Sequence, residues 1–154
     1  MNRLLLIGCG KTKASTPQPA RDLYTGPLFR ARRAFAERSG HPWLIVSGLH
    51  GTLAPDELVA PYDQTVPTER NLRTQWALLT GLTLGQRLSR IFPEPPKQLI
   101  VELHAGRAYY EPLHWLWVRT AYHLEWPVQG LGIGKQLNFY QPQCLFELSA
   151  TAVV

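Results

Sequence analysis

The chain has only two cysteines, Cys9 and Cys144, in 154 residues. A disulfide framework is therefore excluded, and the fold must be held by its core. Long apolar runs are also missing. Leu4–Ile7 is too short for the core of a secretory signal. No stretch approaches the roughly 18–20 apolar residues that cross a bilayer. The expectations are a cytoplasmic location and no membrane partner. Internal repeats and an interdomain linker are absent, which leaves a single domain. Hydrophobic residues make up 45% of the chain and aromatics 10%, whereas a disordered chain would be poorer in both.

What the sequence does have is a positive balance. Lysine and arginine number 16 against 11 aspartates and glutamates, for a net charge of +5. A basic domain attracts phosphates, and nucleic acid is the usual beneficiary. Basicity without a partner is the competing explanation, and charge alone does not decide between them.

The order of apolar runs predicts an α/β fold, a mostly parallel sheet with flanking helices. Arg3–Gly8, Trp43–Ser47 and Gln98–Leu103 read as buried strands. A helix is predicted from Pro27 to a glycine stop at Gly40, with Leu28, Ala31, Ala34 and Phe35 inward and Arg30, Arg32, Arg33 and Arg38 outside that stripe. A second helix spans Thr68–Ile91 through Leu72, Trp76, Leu79, Leu82, Leu84 and Leu88, bent at Gly81 or Gly85. A third opens at Pro112 and runs to about His123. A short strand follows at Trp126–Gln129, and a glycine-rich turn enters a final helix. Cys9–Asp22 reads as loop. Gly48–Asp63 is turn-rich, with one helical turn at Pro55–Leu58. Residues 144–154 fit an edge strand or a tail. Strands alternating with helices are the mark of βαβ units.

In open α/β sheets, ligands bind beyond the carboxyl ends of the strands. Each predicted strand here ends in small and cationic residues: Cys9-Gly10-Lys11-Thr12-Lys13, Ser47-Gly48-Leu49-His50, His104-Ala105-Gly106-Arg107, and Gly132-Ile133-Gly134-Lys135. Small residues let backbone amides approach a ligand, and the side chains supply charge and proton transfer. Tyr24-Thr25-Gly26 and Tyr62-Asp63 add tyrosines beside turns, suited either to stacking on a base or sugar or to packing. Cys9 is a candidate nucleophile if cations activate it, or a small core residue. Lys11 and Lys13 are candidate amine nucleophiles or phosphate clamps.

Two phosphate motifs fail. Leu5 and Gln129 stand where the first glycine of a Walker loop belongs, and Gln136 replaces the magnesium-binding Ser or Thr. Cys9, His50 and His104 lack the close pairing of metal ligands, so no metal and no cofactor is expected.

The segments LYTG at Leu23–Gly26 and SGLHGTLAPDELVAPYD at Ser47–Asp63 resemble the YaaA peroxide-stress family, and Lys11-Thr12 matches its opening Lys-Thr. CGKTK, RDLYTGPLFR and GLGIG are similar to small bacterial and phage domains of unknown function related to it. The resemblance implies a pocket-bearing core connected with DNA binding and oxidative stress. YaaA proteins place a long helical insertion, with a DNA-binding hairpin, before the YTG segment. Only the stretch from Lys13 to Tyr24 stands there in this chain.

The resulting expectation is a protein that binds or acts on nucleic acid or a nucleotide-derived ligand at a basic strand-end pocket. If it is an enzyme, it performs glycosidic-bond or base-modifying chemistry. Lys11 or Cys9 would then be nucleophile or anion clamp, His50 the proton shuttle and Asp63 an orienting carboxylate. Lys13, Tyr24, Thr25, Gly26, Ser47, Gly48, Tyr62, His104, Gly106, Arg107, Gly132, Gly134 and Lys135 would line the ligand site.

Overall fold

A strand buried on both faces needs apolar side chains at successive positions, and Leu4–Ile7 supplies them. In the computed structural model, which describes residues 2–118, 120 and 122–142, this run is the centre of β1 (Asn2–Gly8). There follow β2 (Gln18–Pro19), α1 (Ala20–Leu23), α2 (Pro27–Ser39), β3 (Trp43–Ser47), β4 (Gly51–Leu53) and β5 (Leu58–Val59). The chain continues through α3 (Arg70–Ile91), β6 (Leu99–His104), α4 (Arg107–Trp117), β7 (Tyr122–Glu125) and α5 (Ile133–Phe139). The predicted tail at 144–154 and Cys144 lie outside the described residues.

The fold is mixed α/β, as expected. Its main sheet has the order β4-β3-β1-β6-β7, parallel except for β4, which pairs antiparallel with β3. The chain leaves β1 for β3 on one side and later returns to β6 on the other. The winding therefore reverses between β1 and β6, where the carboxyl ends of an open sheet part to form a crevice. Leu4 and Leu6 pack with the α3 and α4 side of the sheet, and Leu5 and Ile7 with the α2 side. A second, two-stranded sheet pairs β2 with β5 and ties the loop after β1 to the segment after β4. Among the described residues no helix is long and apolar enough to cross a membrane.

Several sequence expectations shift. Pro27 and Gly40 bound α2 as predicted, and Gly40 adopts the left-handed conformation with φ 73°. The buried residues of α2, however, are Phe29, Arg32 and Ala36. The inward row is thus one residue out of phase with the predicted stripe, a rotation of about 100°. In α3 the inward row is Trp76, Ala77, Thr80, Leu84 and Leu88, while Leu72, Leu79 and Leu82 are exposed. Both Gly81 and Gly85 fall inside that helix. The helix predicted to open at Pro112 starts at Arg107 instead, with Pro112 inside it. Tyr122 and His123, assigned to that helix, belong to β7, and the strand expected at Trp126–Gln129 is not there. Pro55–Leu58 forms no helical turn: the segment carries β4 on one side and β5 on the other.

Candidate functional site

The loop after β1 is drawn back on itself. Lys13 bridges Tyr24 as an antiparallel pair, Ala14 donates its N–H to the Leu23 carbonyl, and Thr25 donates to Thr12. Ala20 and Arg21 donate in turn to Glu57 and Pro55. These bonds carry Tyr24 toward Tyr62, and their hydroxyls meet at 2.5 Å. Tyr62 also meets Ser47 Oγ at 2.6 Å.

The direction of this chain follows from counting lone pairs. Ser47 Oγ already accepts the N–H groups of Leu49 and His50. Its two acceptor positions are filled, so its own hydrogen goes to Tyr62. Two phenols then share one bond, and one phenolic O–H is left to point out of the chain, with Cys9 as a neighbour. Burial, followed by the nearby Cys9, pushes the Tyr62 hydroxyl up to about 12. Tyr24 is driven up for the same first reason. Both therefore act as neutral phenols at physiological pH. The Lys13 ammonium sits 4.6 Å from the Tyr62 ring centre and 5.8 Å from that of Tyr24, and donates to the Lys11 carbonyl. The Tyr62 ring, the nearer of the two, offers this cation its electron-rich face.

Cys9 continues the β1 ladder by donating its N–H to Val46. Its sulfur lies 3.2 Å from the Tyr109 hydroxyl, which comes from the first turn of α4. Tyr109 packs edge-on against Trp76, and Trp76 Nε1 donates to the Ser47 carbonyl. Cys9, Tyr109, Tyr62 and Lys13 thus gather at the carboxyl ends of β1 and β6, beside the buried Ser47. His50 meets the Tyr62 ring edge-on at 5.2 Å.

Burial holds the His50 pKa below its ordinary 6.5, with Arg87 adding to the effect and Glu57 opposing it. Where the unfolded chain binds a proton that the folded chain refuses, acid favours unfolding. Stability should therefore decline as pH falls below 6.5 and level off under the folded-state pKa of His50. Urea unfolding over a pH series should show this step in the wild type and not in His50→Gln; an unchanged step would assign it to another group.

The remaining predicted residues are distributed as follows. Lys11, Asp63 and Gly106 are exposed, and Arg107 is exposed with its Nε 3.4 Å from Glu111. Gly26 N-caps α2 and Gly106 N-caps α4. Gly132, Gly134 and Lys135 form the exposed start of α5. Gly48 is buried under the chain at 64–66, so its missing side chain makes room for backbone and not for a ligand. His104 is fully buried on the α2 and α5 side of the sheet. Its Nε2 pairs with Glu102 at 2.6 Å and its Nδ1 meets the Tyr140 hydroxyl at 2.9 Å. With both ring nitrogens engaged, His104 can neither line the crevice nor join Cys9 and His50 on a metal.

Tyr109 went unnoticed in the sequence, and Arg32, expected on the outer face of its helix, is buried. Tyr109 follows Gly106 by three positions, which puts it on the first helical turn beyond β6. Arg32 lies in register with Phe29 and Ala36 on the inward row of α2. That spacing was the available signal in each case.

Comparison with known proteins adds kinship. The chain is 32% identical over 148 residues to the uncharacterized protein YfjM of Bacillus subtilis (strain 168), an alignment covering 90% of this chain and 92% of that one. No solved structure matches it. The sequence profile of a family of unknown function, DUF6884, matches residues 4–142, and the chain belongs to that family.

Proposed function

We propose that the crevice at the carboxyl edge of β1, β3 and β6 binds nucleic acid or a nucleotide-derived ligand. The observation that carries this reading is the pair of Lys13 and Tyr62: a cation over a half-buried phenol whose hydroxyl is held by the buried Tyr24 and Ser47. The Tyr62 ring suits stacking on a base or sugar, and the one phenolic O–H left over suits a hydrogen bond to its edge. Lys11, Lys13 and Arg107 supply attraction for phosphates. The net charge of +5 and the likeness to YaaA proteins favour the same partner, in DNA protection or oxidative stress. Single strands fit better than duplex, because the helical insertion that carries the YaaA hairpin has no counterpart here.

Fluorescence anisotropy with a single-stranded oligonucleotide tests this. Affinity should fall steeply with salt, with a logarithmic slope of about −0.7 for each phosphate contacted. Lys13→Gln should weaken binding and flatten that slope by about one such contact. No binding at low salt, or a flat salt response, overturns the reading.

One observation favours a second reading, base-modifying or glycosidic-bond chemistry: the Cys9 sulfur stands in the crevice against Tyr109. Cys9 would be the nucleophile and His50, kept neutral by burial, the proton acceptor. Lys11, in solvent, keeps only the clamp role. Under this reading Cys9→Ser retains oligonucleotide binding and abolishes turnover. A Cys9→Ser variant that turns over substrate like the wild type removes it.

A further inference from the structure

Arg32 is 6% exposed, yet its guanidinium has no carboxylate within ion-pair distance among the described residues. Its Nη2 donates to Gln136 Oε1 at 2.9 Å and its Nη1 reaches the Gly8 carbonyl only at a long 3.5 Å. Nε, fully enclosed, has no hydrogen-bond partner among the described residues. The Tyr140 hydroxyl is a further neutral hydrogen-bond partner of the guanidinium, and the Tyr109 hydroxyl lies nearby; burial raises the pKa of both and the Arg32 charge draws them back down. Glu102, which acts on the same Tyr140 hydroxyl, is already held by Arg3 and His104. A guanidinium cannot shed its proton to escape such a setting. An uncompensated buried charge is destabilising, so it is kept where something else needs it.

Its position says what that is. Arg32 lies under the point where β1 and β6 part. A methyl group on Gly8 would come within 3.0 Å of both Arg32 Nη1 and Ala105 Cβ. Gly8 at the end of β1 and Ala105 just after β6 are the small residues that leave the guanidinium its space. From there its charge acts on Tyr109, the residue that touches Cys9.

We propose that Arg32 is the counter-ion for a phosphate group bound in the crevice between β1 and β6. The phosphate is free or carried by a nucleotide; the chemistry at the guanidinium is the same, a charge-assisted pairing of N–H donors with an oxyanion. This rests on the crevice being a ligand site and does not require the ligand to be nucleic acid.

Inorganic phosphate is the first probe, titrated at constant ionic strength against chloride while the thermal unfolding midpoint is followed. The wild type should show a saturable rise. Arg32→Lys, which keeps the charge and loses the fork, should raise the half-saturating concentration by roughly tenfold. Arg32→Met should abolish the saturable rise. Should Arg32→Met fail to fold, wild-type protein gives an independent reading: phosphate should slow iodoacetamide alkylation of Cys9, followed by peptide mass spectrometry with an added free-thiol peptide as the reference. A nucleoside monophosphate compared with inorganic phosphate separates the two sources. Absence of both saturable stabilisation and Cys9 protection overturns the proposal, as does an equal shift in wild type and folded Arg32→Met. Loss of oligonucleotide binding with phosphate binding intact would sink the nucleic-acid reading and leave this one standing; the converse result would do the reverse.

Discussion

Gly48→Ala should lower the unfolding free energy by about 2–3 kcal/mol, as expected for forcing a methyl group into filled space. The added Cβ would stand 2.6 Å from the Thr65 carbonyl carbon, 2.8 Å from Val66 N and 2.9 Å from Gln64 O. All three are backbone atoms, so no side chain can swing aside. The segment cannot simply lift, because Val66 is anchored in the core with Trp76 and Ala77. Nor can Gly48 retreat: Ser47, just before it, holds Trp76 through its carbonyl and Tyr62 through its hydroxyl. The same movement would therefore loosen the Ser47–Tyr62 bond, and ligand affinity should fall along with stability. Gly10→Ala is the control, since its new Cβ would meet nothing nearer than Phe29 Cβ at 3.8 Å. Urea unfolding of both variants checks this, and equal midpoints for the two would refute the clash.

The parts of this fold that were legible in the sequence are those set by local chemistry. Leu4–Ile7 and Trp43–Ser47 could only be buried strands, and Pro27 and Gly40 mark the two ends of α2 by their backbone preferences. What failed was phase. In α2 the spacing of Leu28, Ala31 and Phe35 is as helical as that of Phe29, Arg32 and Ala36, and an arginine counts against the second row unless something needs it inside. In α3, leucine occurs all round the helix, so Thr80 and Ala77 reached the core while Leu78 and Leu82 stayed outside. Pro112 misled for a similar reason. Proline is favoured at a helix start, but the glycine at 106 had already supplied the N-cap, leaving proline inside the helix.

The candidate site was legible in outline and not in detail. Strand-end placement pointed to Cys9, Ser47 and Tyr62, which the fold brings close together. It also pointed to His104, because the last residue of a strand can face the crevice or the layer beneath. The alternation of β6 settles this: Leu99, Val101 and Leu103 face α3 and α4, so Glu102 and His104 face α2 and α5. The pairing of Tyr24 with Tyr62 depends on the β2–β5 sheet, a contact between segments far apart in sequence that no periodicity announces.

That inward face of β6 carries the second large effect. Arg3→Met should destabilise the protein by about 2–3 kcal/mol at neutral pH, and the loss should vanish in acid. Arg3 Nη1 joins Glu102 at 2.5 Å and Glu125 at 2.8 Å. Glu102 is mostly enclosed, with its side chain 13% exposed. Removing one partner of such a pair leaves a charge that water cannot reach; the magnitude stays below that of a wholly buried pair because Arg3 keeps some exposure. Burial pushes the Glu102 carboxyl upward, but His104 and Arg3 outweigh it and hold its pKa below the ordinary 4.5. A carboxyl with a depressed folded-state pKa contributes stability above its unfolded value, and that contribution disappears as pH falls through the folded one. Without Arg3 the burial contribution gains ground, so the variant takes up its proton at higher pH than the wild type. The gap between the two should be full at pH 7, begin to close as Glu102 protonates in the variant, and be gone once it is protonated in both. The relay continues from Glu102 through His104 to Tyr140, whose hydroxyl Arg32 acts upon. Phosphate binding should therefore also weaken in Arg3→Met at neutral pH, and less so than in Arg32→Lys. A stability gap that persists unchanged at pH 3 would show that Arg3 acts through packing of its stem and not through Glu102.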